Sequence, residues 1–473
     1  MKNIAIILVT AVGVIQAQDN FIYDKLLRPA NGGYYHTPIG LCEDYPEETT
    51  TLEIIRKDME LLKRSGIQLL RISFGWDAIE AQKDKYDWLF WDDYVRIAAE
   101  EYGITLIPYI CYTPMWNSTG DSITYWRSTP KDYEEFGEFT YALVSRYKKW
   151  IKSWELWNEP DIIWYWSGDA GDLARLAKIG SEAVRKADPS ALVVLGGLAH
   201  DVNFTRGLFR DHGISPYVDV VNIHNYFETW SGTPNENVID YVNSVADVVQ
   251  MYGDGQSIWM AEVGYSSFRG NNGRISEHYT ALYDYEHTAR YQAVHLVRAL
   301  TMLLSTEKLS AIAWYELKDL TSHEDVIGDD NNRHLGVATL HHEAKPAEHA
   351  LRFFNGLVGN VRSIDAATVV TGPVGSDAVV HAFEHEDGSV IIVGWLKTFV
   401  RGSRTKAANG TMKDTRIETL DVRLVKKLSG DLVAYDDQGS KTTIPSISRS
   451  GKETAIKGWT LRGGEVSILT IAK

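Results

Sequence analysis

Ile151-Lys152-Ser153-Trp154-Glu155-Leu156-Trp157-Asn158-Glu159-Pro160 reads as an apolar strand that ends on an amide, a carboxylate and a proline. A carboxylate there would be costly inside a closed core but suits the mouth of a strand that opens on a cleft. Trp259-Met260-Ala261-Glu262-Val263-Gly264 has the same form. Working outward, short apolar strands alternate with amphipathic helical stretches from about residue 37 to 350. The strands fall at Pro38–Cys42, Ile67–Phe74, Thr105–Tyr112, Ile151–Trp157, Ala191–Leu198, Val218–Tyr226, Ser257–Val263 and Ser310–Leu317. Helical spacing occupies Thr51–Arg64, Trp91–Tyr102, Asp132–Trp150, Ala170–Ala187 and Tyr283–Ser305. Eight strands in βα alternation predict an α/β fold, a (β/α)8 TIM barrel, whose working groups stand at the C-terminal strand ends.

Beyond about residue 350 the helical pattern fades and short β-rich segments separated by Gly, Asp and Ser take over. Val379–His385 and Ser389–Trp395 flank Glu386-Asp387-Gly388 as a hairpin. With further strands at Thr419–Val422, Leu432–Tyr435, Lys441–Pro445 and Glu465–Ile471, residues 351–473 predict an antiparallel β-sandwich after a barrel spanning 18–350. Met1–Ala17, one lysine followed by an apolar run and a small residue, reads as a secretory signal peptide, so the expected location is secreted or periplasmic.

The 473 residues are 44% hydrophobic and 23% charged, enough for a large core and too apolar for wholesale disorder. A net charge of −15 argues against nucleic acid or an anionic membrane surface as partner, and no further stretch is apolar enough to insert in a bilayer. Fifteen Trp and 25 Tyr outnumber the 13 Phe, and rings with polar edges suit surfaces that stack on a ligand and also hydrogen-bond to it. The two cysteines, Cys42 and Cys111, are either one bridge or two buried thiols. Oligomeric state is not encoded in any of these features.

Strands four and seven face one another across a closed barrel, which brings Glu159 and Glu262 to one pocket. Two carboxylates, one ionised and one protonated, are what glycoside hydrolysis requires. At a separation of ~5–5.5 Å one attacks the anomeric carbon while the other protonates the departing oxygen, the retaining arrangement. Glu155, two residues before Trp157 on the same strand, reads as a structural carboxylate satisfied inside the barrel.

Trp157-Asn158-Glu159-Pro160 with Glu262 on strand seven resembles the retaining glycoside hydrolases of clan A, and most of all family 39 and its relatives. The resemblance covers about residues 37–350 and includes Arg71, Trp76 with Glu80, His224-Asn225-Tyr226 and Trp314-Tyr315-Glu316. It implies Glu159 as acid/base, Glu262 as nucleophile and Asn158 as donor to the sugar 2-hydroxyl. It further implies Arg71 and Tyr226 as holders of the nucleophile, His224 in the same site and Trp314 as the floor beneath the reacting sugar. Glu43-Asp44 and Glu228-Thr229-Trp230 depart from the family 39 xylosidases and bear on the substrate.

Trp116, Trp126, Trp164, Trp166 and Trp230 fall in loops after strands three, four and six, with Trp116 and Trp164 as candidate sugar platforms. Five loop tryptophans exceed the needs of one sugar and favour a groove for a poly- or oligosaccharide. The alternatives are an exo-acting, β-xylosidase-like enzyme and a carbohydrate-binding pseudoenzyme. Arg127, Arg269, Arg274 and Arg333 lie in loops that would admit an anionic glycan if they face the mouth. No cofactor or metal is expected: the acidic run Asp329-Asp330-Asn331-Asn332 lacks calcium-loop spacing, and Gly196-Gly197 reads as a tight turn rather than a dinucleotide fingerprint.

Overall fold

The computed structural model describes residues 22–27, 33–44, 50–268, 287–321, 330–398 and 414–473. The expected signal peptide, Arg269 and Arg274 lie outside the described residues. Eight parallel strands close into a barrel in chain order: β1 (Ile39–Glu43), β2 (Leu69–Gly75), β3 (Thr105–Cys111), β4 (Ser153–Asn158), β5 (Leu192–Leu198), β6 (Val220–Asn225), β7 (Ser257–Val263) and β8 (Leu309–Trp314). Closure is made by β1 against β8, with Ile39 opposite Ile312 and Leu41 opposite Trp314. Strands buried on both faces read as unbroken apolar runs, which is why they are visible in the sequence.

The axis is filled by Leu69, Ile107, Val194, Val220, Trp259, Ala261 and Ala311. Leu26, fully buried, plugs the N-terminal end, where its carbonyl accepts the Trp259 indole N–H at 2.8 Å. Outward-facing side chains pack against a ring of helices whose starts are fixed by short polar caps: Thr51, Asp169, Asp201 and Thr288 each accept a backbone N–H of the first turn. Two helices that the sequence reading leaves out, Val202–Arg210 and Val238–Tyr252, complete the alternation after β5 and β6.

The C-terminal region is two antiparallel sheets, one in the order Thr368–Thr371, Ile417–Leu424, Glu453–Arg462, Ser446–Ser450. The other runs Leu432–Tyr435, Val466–Ile471, Val390–Leu396, Ala378–His385, Val361–Ser363. The predicted hairpin is present, with Val379 opposite Trp395 and Gly388 at φ +87° in its turn. Lys441–Pro445 is not a strand; pairing instead begins at Ser446, just past Pro445, whose ring removes a ladder donor. The helix Pro346–Leu357 runs straight through position 350, so the first sandwich strand starts only at Val361. Phe383, Ile391, Val393, Trp395, Val466 and Ile468 belong to the same continuous apolar core as the barrel's outer layer. Charged and polar contacts reinforce that seam: the Trp395 indole donates to Glu236 at 2.9 Å, Arg290 pairs with Asp437, and Tyr291 meets Thr398 at 2.9 Å.

Candidate active site

Arg71 is the centre of the site. It projects from β2, is 1% exposed, and uses three nitrogens on four acceptors. Nε and Nη2 grip Glu155 at 2.8 and 2.9 Å, Nη1 reaches Glu262 at 2.5 Å, and Nη2 also reaches the Asn158 side-chain oxygen at 2.8 Å. Glu155 accepts two further bonds, from the Gly197 backbone at 2.7 Å and from the Asn222 amide at 2.9 Å. Such a carboxylate is fully engaged inside the barrel and serves to aim Arg71.

Glu262 and Glu159 differ in their neighbours, and the difference assigns their protonation. Burial pushes Glu262 up to about 7, against the pull of the Arg71 guanidinium and of the Tyr226 hydroxyl, which donates to it at 2.6 Å. Glu159 has no such donors from a cation; burial raises it well above the usual carboxylate range, and the negative charge of Glu262 raises it further. In this coupled pair the proton therefore rests on Glu159 and the charge on Glu262. Backbone geometry adds to the picture: Trp157 and Glu159 both lie at positive φ, +85° and +45°, which non-glycine residues adopt at some energetic cost.

His224 stands between the two carboxylates, with Nδ1 2.9 Å from Glu159 and 3.5 Å from Glu262. Burial, and then Arg71, hold it well below its ordinary pKa, so the imidazole is neutral. Its tautomer follows from Asn222. The Asn222 oxygen accepts the Ala261 N–H at 2.9 Å, so its amide nitrogen faces His224 Nε2 as donor at 3.4 Å. Nε2 then accepts, and Nδ1–H donates to Glu159, turning the acid's other oxygen toward the cleft. One oxygen of each glutamate and one His224 nitrogen lie within 4.8 Å of one another. That closest approach favours two carboxyls set for direct attack over a pair held ~6.5–9.5 Å apart around a water.

Sequence reasoning missed why β5 carries two glycines just before its last residue. They are not a turn but part of the strand, at a register shift between Leu195 and Leu198. A Cβ at Gly197 would sit 2.0 Å from His224 Nε2, and one at Gly196 2.6 Å from two strand carbonyls. Gly197 also accepts the Glu159 N–H at 2.8 Å. Gly197→Ala is therefore expected to displace His224 and lower kcat on a glycoside about 100-fold or more while shifting KM little. Steady-state kinetics beside a circular-dichroism spectrum will check this, and wild-type kcat in the variant would refute the close-packing account.

The remaining sequence candidates separate. Trp314 is 0% exposed and, with Ile312, faces outward into the helical layer near His295, so it has no face to offer a sugar. The expectation of a floor there fails by one residue of strand phase. The ring at the mouth is Tyr315, which lies edge-on to Tyr226 at 6.1 Å. Trp116 is half-buried, its indole donating to the Glu80 carbonyl and its ring edge-on to Trp76, so it braces a loop. Trp166 packs beneath the β4 loop against Trp157 at 4.7 Å. Trp164 is 67% exposed, with the Arg127 guanidinium 5.7 Å over its ring. Trp126, half-buried, links that rim to the site through Tyr112 at 4.9 Å, and Tyr112 meets Trp157 at 5.7 Å. Cys42 and Cys111 are both buried free thiols.

After β6, Glu228 is wholly buried at φ +64°. Burial alone would raise its pKa, but Arg298 and His295 outweigh that and pull it down to about 2. It caps the Asn235 N–H at 3.0 Å, and Arg298 continues from it to Glu236 at 2.7 Å. The loop bearing Tyr226 and Trp230 is thus pinned by a chain of charges that ends at Trp395 in the sandwich.

Comparison with known proteins agrees with this geometry. The family model described as "Cellulase (glycosyl hydrolase family 5)" matches residues 48–297, more than half of the chain. A beta-xylosidase of Geobacillus stearothermophilus is 22% identical over 333 residues, 65% of this chain. The chain covers 62% of that relative's length. A family 39 glycoside hydrolase from Bacteroides cellulosilyticus WH2 shares the fold with a TM-score of 0.65 and 16% identity, over 92% of this chain and 81% of that one. A monomeric beta-xylosidase from Caulobacter crescentus CB15 does so with a TM-score of 0.62 and 18% identity, over 93% and 97%. Barrel, paired glutamates and matched residues together assign the chain: it belongs to the cellulase (glycosyl hydrolase family 5) family, within the clan A glycoside hydrolases.

Proposed function

We propose that the protein is a retaining β-glycoside hydrolase acting on a poly- or oligosaccharide by double displacement. Glu262 attacks the anomeric carbon, the C1–O bond breaks, and the Glu159 proton goes to the departing oxygen. A water then delivers its proton to Glu159 as its oxygen displaces Glu262 from C1. The observation that carries this reading is the asymmetric carboxylate pair, ionised under Arg71 and Tyr226 on one side and protonated beside neutral His224 on the other. Asn158, whose side-chain oxygen accepts from Arg71 at 2.8 Å, is in this reading the donor to the 2-hydroxyl. No cofactor enters any step. The expected signal peptide Met1–Ala17 supports export to a compartment where polysaccharide is met.

The exposed Trp164 and the Trp126 rim lie on the loops of the acid's own side, where a leaving-group sugar would stack, which favours an oligosaccharide over a short aglycone. The exo reading rests on the β-xylosidase relative, which makes xylosides the first substrates to try. Proton NMR of the first minutes of xylotetraose hydrolysis tests both matters. New reducing ends should appear as the β-anomer, and internal cleavage should yield xylobiose. Early α-anomer would refute retention, and xylose with xylotriose but no early xylobiose would select the exo reading.

A further inference from the structure

A carboxylate that the hydrolysis just described does not use faces the same pocket. On β1, Leu41 and Glu43 point outward, Glu43 to Lys318 at 2.9 Å, while the alternation sends Cys42 and Asp44 toward the axis. Asp44 is half-buried and accepts from two phenols, Tyr109 through Oδ1 and Tyr315 through Oδ2 at 3.2 Å. Those phenols belong to the site. Arg71 lies 4.2 Å over the Tyr109 ring, and Tyr315 stands edge-on to Tyr226, which in turn donates to Glu262. Glu262, Arg71, Tyr109, Asp44, Tyr315 and Tyr226 thus form a closed collar of contacts.

Position in the barrel says which part of a ligand meets Asp44. The leaving group departs over β4, which carries the acid. In an eight-strand barrel closed in chain order, β8 stands across from β4, flanked by β7 with the nucleophile on one side and β1 with Asp44 on the other. A pyranose with C1 between Glu159 and Glu262 therefore turns its C3–C4 edge toward Asp44 and Tyr315. Two phenols occupy only part of a carboxylate's acceptor capacity, so Asp44 retains lone pairs for hydroxyl donors. The charge balance also selects. Arg71 is committed to Glu155, Glu262 and Asn158, and among the described residues no other arginine or lysine bonds to a member of the collar. A carboxylate or sulfate on the reacting ring would meet Asp44 and Glu262 unpaired.

We infer that Asp44 is a specificity-determining residue, the acceptor for the C3 and C4 hydroxyls of a neutral reacting sugar, and that it excludes anionic sugars from that position. The inference rests on the hydrolase reading for the ligand's orientation. It also runs against an anionic reacting sugar, leaving Arg127 and its like to contact more distant units if any.

The test pairs wild type with Asp44→Asn on p-nitrophenyl β-D-xylo-, gluco-, galacto- and mannopyranosides, the β-D-glucuronide, and the 3- and 4-deoxy analogues of the best neutral substrate. Wild type should prefer a neutral glycoside to the glucuronide. In Asp44→Asn, kcat/KM on that glycoside should fall about 10- to 100-fold, with little further loss on removal of a hydroxyl that costs wild type a similar factor. An equal loss on parent and deoxy substrates would mean a merely structural carboxylate and would overturn the inference, as would no loss, or a wild-type preference for the glucuronide. Calorimetry with the corresponding phenyl 1-thio-β-glycosides, which are not turned over, separates the two readings. Binding that depends on both Asp44 and the hydroxyl, without hydrolysis of any aryl glycoside, sinks the enzyme reading and sustains this one. Failure to bind any neutral thioglycoside overturns both.

Discussion

Replacing Glu262 by alanine should reduce turnover of every substrate by about 10⁴-fold or more while the barrel stays folded. The loss is large because no neighbour can substitute for the nucleophile. Glu159 is protonated, Glu155 is held by Arg71, the Gly197 backbone and Asn222, and Asp44 lies across the pocket at the far end of the collar. Folding should survive, since the variant removes a buried carboxylate whose pKa is raised by burial and leaves Arg71 its pair with Glu155. Kinetics on an aryl β-glycoside, together with near-ultraviolet circular dichroism, make the check. A folded variant with near wild-type rates would remove Glu262 from the mechanism.

Glu159→Ala should fail differently, and the difference identifies the acid/base. With a 2,4-dinitrophenyl glycoside the leaving group needs little protonation, so glycosylation should persist while hydrolysis of the glycosyl-enzyme slows about 10²- to 10⁴-fold. A burst should appear, and azide should restore turnover as a β-glycosyl azide. The pH profile carries its own sign. In wild type the pKa of Glu159 lies above the ordinary carboxylate value, through burial first and the charge of Glu262 second. The active protonated form is therefore lost as pH rises through that pKa, which gives kcat/KM on unactivated glycosides an alkaline limb. Glu159→Ala on the activated substrate should lack that limb. Once the glycosyl-enzyme forms, Glu262 is neutral and the largest of the charges that raise Glu159 is gone, so Glu159 becomes the base that the second step needs. Equal losses on good and poor leaving groups, without azide rescue, would reject the role.

Much of this architecture could be read from residues alone because buried parallel strands announce themselves as apolar runs and their ends as sudden polarity. The carboxylates Glu159 and Glu262 stood out for that reason, and Arg71, His224 and Tyr226 entered through the resemblance that those motifs carry. What escaped has physical causes. Val238, Val242, Val245 and Val249 recur at helical spacing, yet the β-branched content hid a helix. Strand phase at β8 was ambiguous because the β7–β8 register shifts between Met260 and Val263, so a one-residue slip exchanged Trp314 for Tyr315. Gly197 is required by an imidazole delivered from the next strand, a contact no local pattern records. Asp44 was visible only as a departure, since its partners come from β3 and the end of β8.

The charge chain from Glu228 through Arg298 and Glu236 to Trp395 bears on how such a protein can be rearranged over generations. Read as a string of modules, the chain offers a seam after Leu357. In three dimensions the loop that presents Tyr226 to the nucleophile is propped from beyond that seam. An exchange of sandwiches by recombination would strand Glu236 and Arg290 without their indole and carboxylate and would bare the apolar flank of the helix Ala289–Ser305. The heritable unit is therefore the barrel together with its graft, and divergence in one half must be answered by compensating substitutions in the other.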